Sequence, residues 1–384
     1  MYKFSIIIPC YNQADWLKIC IQSLKNQTFE NWEAIIVNDG STDHTKDTAD
    51  YLAKDDHRIK IIHQENGGLS AARNAGIHKA IGEWLNFHDS DDYLLPDCLN
   101  QVQREIESNK EFDLFQVGHQ LVDEHNTLIY SNILKQSADP FLQQTKIGNP
   151  GPPLSFFIRR KTALDAGEFD ISLKSAEDWD YWIRVAKMGI ERFVIRKPMV
   201  AYRYTSNSMS RNPWRMYENT VEVIKRVPLN DNRIRNNSPL NAELKFDVEK
   251  AIKSRLIQAL GLNIMQGNID EALGKFNEES IKFNFHYHPI DFRQMNSFMT
   301  FKNWYRPEDL KKVLSDYPQL FTDFFSKTNF SSEFQKKACY YVFEFHLKNS
   351  NILKYQFLGK ILNRILDVSM NSKKIREESG IKSL

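Results

Sequence analysis

The chain has 384 residues, 41% hydrophobic and 26% charged, an ordinary globular composition whose length favours two domains or one large domain with an appendage. Its 51 Lys and Arg stand against 49 acidic residues for a net charge of +2, which leaves no whole-molecule field to attract nucleic acid. No stretch approaches the roughly 20 apolar residues of a membrane helix.

The opening MYKFSIIIPCYN has a short apolar run, no sizeable basic flank and no small-residue cleavage site, so no secretory leader is expected. Cys10, Cys20, Cys98 and Cys339 lack C-x-x-C pairing and read as buried, reduced thiols of a cytosolic protein. FSIIIP is a β-branched run suited to a strand buried on both faces. ADWLKICIQSLKNQ follows with Trp16, Ile19/Cys20 and Leu24 at helical spacing. WEAIIVND and RIKIIHQ are the next strands, TDHTKDTADYLAK a polar-faced helix, LSAARNAGIHKA an alanine-rich helix and EWLNFHD a fourth strand. Strand and helix alternating with short connections predict a parallel sheet with right-handed crossovers, whose ligands sit at the carboxyl ends of the strands. PCYN, NDGSTD and DSDD stand at those ends. No G-x-G-x-x-G follows the first strand, which excludes the usual dinucleotide site.

Beyond Pro96 the pattern loosens. DLFQVGHQLVDE and TLIYS predict antiparallel strands, KIGNPGPPLSFFIRR a Gly/Pro-rich loop entering a strand, and KTALDAGEF a short helix. SAEDWDYWIRVAKMG predicts a helix with Trp179, Trp182/Ile183 and Ala186 on one side, and ERFVIRKPMVAYRYT one or two further strands. Past Pro213 the chain becomes helical and charged, with a polar linker around LNDNRIRNNSPLN, so two regions are expected, 1–212 and 213–384. AIKSRLIQALGLNIMQGNIDEALGKFNEES predicts a helical hairpin turning at Gly267-Asn268. KYQFLGKILNRIL near the C-terminus suits either a packed helix or one lying on a membrane with Lys354, Lys360 and Arg364 outward.

The chemistry is concentrated in four places. Asp39 in NDGSTD projects from a strand's carboxyl end, where it can accept from a base N–H, although a plain strand-to-helix turn explains NDG equally. Arg73 lies among small residues after the Gly67-Gly68 loop, and its guanidinium suits phosphate or a base edge. Asp89, Asp91 and Asp92 fall within four consecutive positions and repel one another, which points to a hard divalent cation such as Mg2+ or Mn2+ shared with substrate phosphates. Glu177, Asp178 and Asp180 open a helix, where acids commonly complement the dipole. Trp179 and Trp182 would half-bury this turn and make a general base of one of them.

IIIPCYN, VNDGSTD, GGLSAARNAG, DSDDYLLP and AEDWDYWIRVAKMG, in this order over roughly the first 210 residues, resemble the bacterial glycosyltransferase family 2 domain. The resemblance implies an α/β GT-A (nucleotide-diphospho-sugar transferase) fold, a Rossmann-like mostly parallel sheet with flanking helices, here followed by a mainly α-helical C-terminal region. It implies an inverting transfer from a nucleotide-sugar donor, a UDP hexose or UDP-N-acetylhexosamine, to a glycan or lipid-linked acceptor in surface polysaccharide assembly, with Mn2+ or Mg2+. By position, Pro9 and Tyr11 match the uracil side, Asp39 the base-reading acid, and Arg73 the basic residue near base and phosphate. Asp89 and Asp91 match the metal and ribose motif with Asp92 as an alternative ligand, and Asp178 the catalytic base with Glu177 beside it. The sequence departs from the family after the last strand, where Thr205 stands in place of a common histidine, leaving Arg203 and Ser208 to grip the phosphates. The expected location is cytoplasmic, or peripheral on the inner membrane face through the C-terminal helices. The alternative is a catalytically inactive carbohydrate- or nucleotide-sugar-binding scaffold of the same fold.

Overall fold

The β-branched opening run forms β1 (Phe4–Cys10), buried at every position. Side chains alternate across the sheet, so Ile6 and Ile8 join one hydrophobic cluster with Leu17, Cys20 and Ile21, while Ile7 joins another with Ile35, Val37 and Ala72. The structure, a computed structural model, describes residues 2–205, 212–236, 238–298 and 316–348. It divides into two units, Met1–Val248 and Glu249–Leu384.

In the first unit β1 pairs in parallel with β2 (Trp32–Asp39) and β4 (Trp84–Phe87), and β2 with β3 (Ile59–Gln64). The crossovers carry α1 (Ala14–Lys25), α2 (Thr45–Lys54) and α3 (Leu69–Lys79). α3 lies close on β1 because Gly76 has no side chain: a Cβ there would stand 2.3 Å from Ile7 Cγ2. After β4 come β5 (Tyr93–Leu94), α4 (Cys98–Ser108), β6 (Leu114–Val122) and β7 (Leu128–Asn132). They are followed by α5 (Phe141–Thr145), β8 (Phe156–Arg159), α6 (Arg160–Asp165), α7 (Glu177–Lys187) and β9 (Arg192–Arg203). β8 runs antiparallel between β4 and β6, β9 parallel to β6, and β5 antiparallel to β9. The result is one nine-stranded mixed sheet, ordered β3-β2-β1-β4-β8-β6-β9-β5 with β7 on β6. Its topology brings the turn between β4 and β5 against the end of β9.

Two expectations shift in detail. The buried face of α1 is Leu17, Cys20, Ile21 and Leu24, whereas Ile19 faces outward and the Trp16 ring covers the Arg203 guanidinium at 4.1 Å. The division between units falls after Val248 and not after residue 212. α8 (Pro213–Arg226), capped by Asn212 Oδ1 on the Arg215 amide at 2.9 Å, buries Trp214 and Tyr217. Arg226 and Arg233 reach the buried carboxylate of Asp180 on α7. Charge in this stretch suggested a separate region, but the charges satisfy a buried acid.

The second unit begins with α9 (Val248–Met265) and α10 (Ile269–Lys282), a hairpin turning at Gly267 with φ 87°. A 3-10 segment (Pro289–Phe298), α11 (Tyr317–Ser326) and α12 (Ser332–Lys348) follow, around buried Phe276, Phe292, Phe324 and Phe325. Among the described residues no helix is long and apolar enough to cross a membrane. The KYQFLGKILNRIL segment with Lys354, Lys360 and Arg364 lies outside the described residues.

Candidate active site

At the carboxyl end of β2, Asp39 is buried and serves the loop before α3. Its Oδ1 accepts from Gln64 Nε2 at 2.7 Å and from the Gly67 amide at 2.9 Å, and its Oδ2 accepts from the Gly68 amide at 2.8 Å. Gly68 takes φ 87°, a left-handed conformation that glycine adopts freely, and α3 begins at the next residue. Two carboxylate oxygens offer about four acceptor sites, so one remains for a ligand N–H. Tyr11, just past β1, is 49% exposed, while Pro9 is buried inside β1 opposite Val37.

α3 then delivers Arg73, fully buried over the Phe169 ring. Its Nη2 donates to Asp89 at 2.8 Å and its Nη1 to Glu177 at 2.5 Å. Sequence reasoning expected a cation at the DSDD turn and separately offered Arg73 to phosphate. The structure makes Arg73 a bridge between the two acidic clusters, with both terminal nitrogens engaged by carboxylates.

The three acids after β4 have different surroundings. Asp89 keeps part of its surface exposed and pairs with Arg73. Asp92 is buried; its Oδ1 accepts from the Arg203 amide at 2.7 Å, and its Oδ2 has no hydrogen-bond partner among the described residues. Burial, then the charges of Asp91 and Asp89, push Asp92 well above the usual carboxylate range. Asp91 is partly exposed with no salt-bridge partner among the described residues, and burial followed by the Asp89 charge raises it to about 6. Arg203 serves the main chain of this turn: Nε donates to the Asp91 carbonyl at 2.7 Å and Nη1 to the Asp123 carbonyl at 3.1 Å. These bonds make its guanidinium a support for the turn and leave Nη2 without a partner among the described residues; Ser208, the other residue expected at the phosphates, lies outside the described residues. His88 is fully buried and pushed down to about 4 by that burial, so it stays neutral.

Among the described residues no three His, Cys, Asp or Glu side chains converge to hold a metal ion unaided. The donor set nevertheless suits a hard cation that completes its shell with phosphates and water, because, beyond burial, the Asp89 charge raises Asp91, both charges raise Asp92, and one buried Asp92 oxygen lacks a partner among the described residues.

At the start of α7, Ala176 adopts φ 58°, a left-handed conformation costing about 1–2 kcal/mol for a residue with a Cβ. Glu177 then turns to Arg73, and Asp180 to Arg184, Arg226 and Arg233. Asp178 takes no salt bridge among the described residues. Its Oδ2 accepts from Asn149 Nδ2 at 2.7 Å and its Oδ1 from the Trp179 amide at 2.7 Å. Burial, with the Glu177 carboxylate beside it, pushes Asp178 up to about 7, against the opposing pull of Asn149, the Arg73 charge and the Trp179 amide. The Trp179 indole anchors this turn through Nε1 to the Thr145 carbonyl at 2.6 Å.

Three participants had escaped sequence reasoning. Asn149 contacts Asp178 from the Gly148–Pro153 loop, a stretch expected to shape an acceptor pocket without Asn149 being singled out. Asn12, at φ 54°, accepts from the Thr42 amide at 2.8 Å and ties the loop after β1 to the one after β2. Tyr202 lies within electrostatic reach of Asp89, Asp91, Asp92 and Asp178, which with its burial hold its hydroxyl above the usual tyrosine range. It thus locates the acid turn and the α7 acids beside one another.

The family profile described as Glycosyl transferase family 2 matches residues 5–166. EpsH of Bacillus subtilis (strain 168) is 50% identical over 100 residues, 26% of this chain and 29% of that protein. The chain spans about a third or less of the length of EpsH and the next two curated relatives. TuaG of the same organism, named for teichuronic acid biosynthesis, is 29% identical over 229 residues, 58% of this chain and 87% of that protein. The crystal structure of S. aureus TarS 1-349 in complex with UDP-GlcNAc aligns with a TM-score of 0.51 at 18% identity, covering 100% of this chain and 93% of that one. At that identity the likeness speaks to the fold, which is the GT-A fold. With the motifs on the sheet ends and the profile spanning the βα repeats, residues 5–166 of the N-terminal unit are similar to glycosyl transferase family 2.

Proposed function

We propose that this chain is an inverting glycosyltransferase that moves a sugar from a UDP hexose or UDP-N-acetylhexosamine to a hydroxyl of a glycan or lipid-linked acceptor in surface polysaccharide assembly. The observation that carries the reading is Asp178, a carboxylate without a cationic partner among the described residues, raised to about 7 and held by amide donors next to the acid turn. That value leaves it substantially ionised at neutral pH yet basic enough to take a proton. The family profile and the UDP-GlcNAc complex of TarS support the donor class, and the name of TuaG supports the glycan class.

In this reading the acceptor hydroxyl gives its proton to Asp178 while its oxygen bonds to the anomeric carbon on the face opposite the diphosphate. The bond from that carbon to the phosphate oxygen breaks, and the electron pair leaves with the diphosphate. Asp89 and Asp91 would hold Mn2+ or Mg2+, with the buried Asp92 as an alternative ligand, and the ion would offset negative charge on the leaving diphosphate. Tyr11 lies against the uracil ring and Asp39 accepts from it, with Pro9 shaping the strand end between them. Arg73 and Glu177 keep the two acid groups together, and Arg203 keeps the turn in shape. Because UDP sugars are cytoplasmic donors, the reaction is assigned to the cytoplasm or the inner membrane face.

Release of UDP from a panel of UDP sugars, with and without Mn2+, tests the proposal. Metal-dependent release from at least one donor is expected. Tight UDP binding with no release from any donor, with glycan acceptors supplied, would instead make the chain a binding protein.

A further inference from the structure

We propose that Asn149 is a positioning residue that fixes the Asp178 carboxylate and favours its ionised form. This rests on the reading of Asp178 as the base. Asn149 is exposed at the tip of the Gly148–Pro153 loop, yet its amide has a defined direction. Its Oδ1 accepts from the Gly151 amide at 3.2 Å, which leaves Nδ2 to donate to Asp178 Oδ2 at 2.7 Å.

The loop behind it is pre-set. Gln116, buried on β6, donates through Nε2 to the Pro150 carbonyl at 2.9 Å and accepts from Arg192 on β9. Gly151, at φ 153°, leaves room for that amide: a Cβ there would stand 2.7 Å from Gln116 Nε2. Pro150, Pro152 and Pro153 restrict the backbone further. β6 and β9 therefore determine where Asn149 sits, and Asn149 determines where Asp178 points.

The charged and titratable groups facing Asp178 are Glu177 from its own helix, Arg73 from α3 and Tyr202 from β9. Glu177 opposes ionisation and Arg73 favours it. Asn149 is the neutral side-chain donor that favours it, since a hydrogen bond to the charged form lowers a carboxyl's pKa.

Asn149→Asp and Asn149→Ala separate this role from loop shape. The Asn149→Asp variant retains an oxygen for the Gly151 amide but replaces the donor to Asp178 with a repelling carboxylate, whereas Asn149→Ala loses both contacts and adds no charge. Two readouts are taken on the full chain. The first is carbon-13 NMR of labelled aspartate carboxyls, with the Asp178 signal assigned by its absence in Asp178→Asn. The second is the pH profile of UDP release from UDP-N-acetylglucosamine with Mn2+. The expected result is an Asp178 midpoint about one pH unit higher or more in the uncharged Asn149→Ala, and higher still in Asn149→Asp. The acid limb should shift to match, with kcat about tenfold lower and donor KM unchanged. An unmoved midpoint in Asn149→Ala, with only Asn149→Asp shifted, overturns the inference, since that shift comes from the added carboxylate. A shifted midpoint in a protein that releases UDP from no donor upholds Asn149's hold on Asp178 and removes the transferase reading instead.

Discussion

The acid turn after β4 and the acid turn that opens α7 each place three carboxylates within four positions, and the fold sorts both sets in the same way. In the first, Asp92 is bound to the Arg203 amide and Asp89 to Arg73, leaving Asp91 without a cation among the described residues. In the second, Asp180 joins Arg184, Arg226 and Arg233, and Glu177 joins Arg73, leaving Asp178 without one. They differ in what stands beside the remaining acid. Each has a neighbouring carboxylate, Asp89 for Asp91 and Glu177 for Asp178, but Asp178 is also held by the Asn149 side-chain amide and the Trp179 main-chain amide on an indole-anchored turn. The comparison teaches that the chemically available carboxylate in a cluster is the one the protein's own cations leave alone.

The sharpest way to break this comparison is Asp178→Asn. UDP release should fall by about 10²–10⁴-fold while UDP affinity by titration calorimetry stays unchanged; near-normal release would return Asp178 to the helix dipole. Arg73→Gln attacks both clusters at once by stranding Asp89 and Glu177, and urea unfolding should show a loss of about 3–5 kcal/mol. A loss under about 1 kcal/mol would mean that the bridge is incidental. Within the first cluster, Asp91→Ala should weaken Mn2+-dependent UDP binding about tenfold or more with little change in stability. Asp92→Ala should lower stability by about 1–3 kcal/mol, because the buried Arg203 amide loses its acceptor.

The smallest expected effect is a pH dependence of stability. With Asp178 at about 7 when folded and in the ordinary carboxylate range near 4 when unfolded, the folded state holds a proton that the unfolded chain has released between those values. That contribution therefore falls as pH rises through this window. Asp178→Asn should raise Tm relative to the parent above about pH 7, and the gain should vanish near pH 4; a gain independent of pH would assign it to packing.

Much of this was legible along the chain because the signals are local. β-branched runs buried on both faces, short turns and the order of the acid motifs mark the four parallel strands of the βα repeats and the strand ends that carry Tyr11, Asp39 and Asp89. The hairpin at Gly267-Asn268 is readable for the same reason, since glycine there takes a positive φ. The exposed side of α1 and the end of the first unit were less legible. Trp16 and Arg226 are apolar and charged in the ordinary way, and only their distant partners, Arg203 and Asp180, explain their positions.

Residue type and spacing thus determined the fold class and where the carboxylates cluster, because backbone periodicity and acid motifs are written within a few residues. Pairing was decided in three dimensions: Arg73 reaches residues 16 and 104 positions away, and Asn149 reaches Asp178 29 positions on. Which acid keeps its charge, and which is left for substrate, depends on burial and on those distant donors. A linear sequence does not display desolvation or the cation that answers it; the folded sheet does.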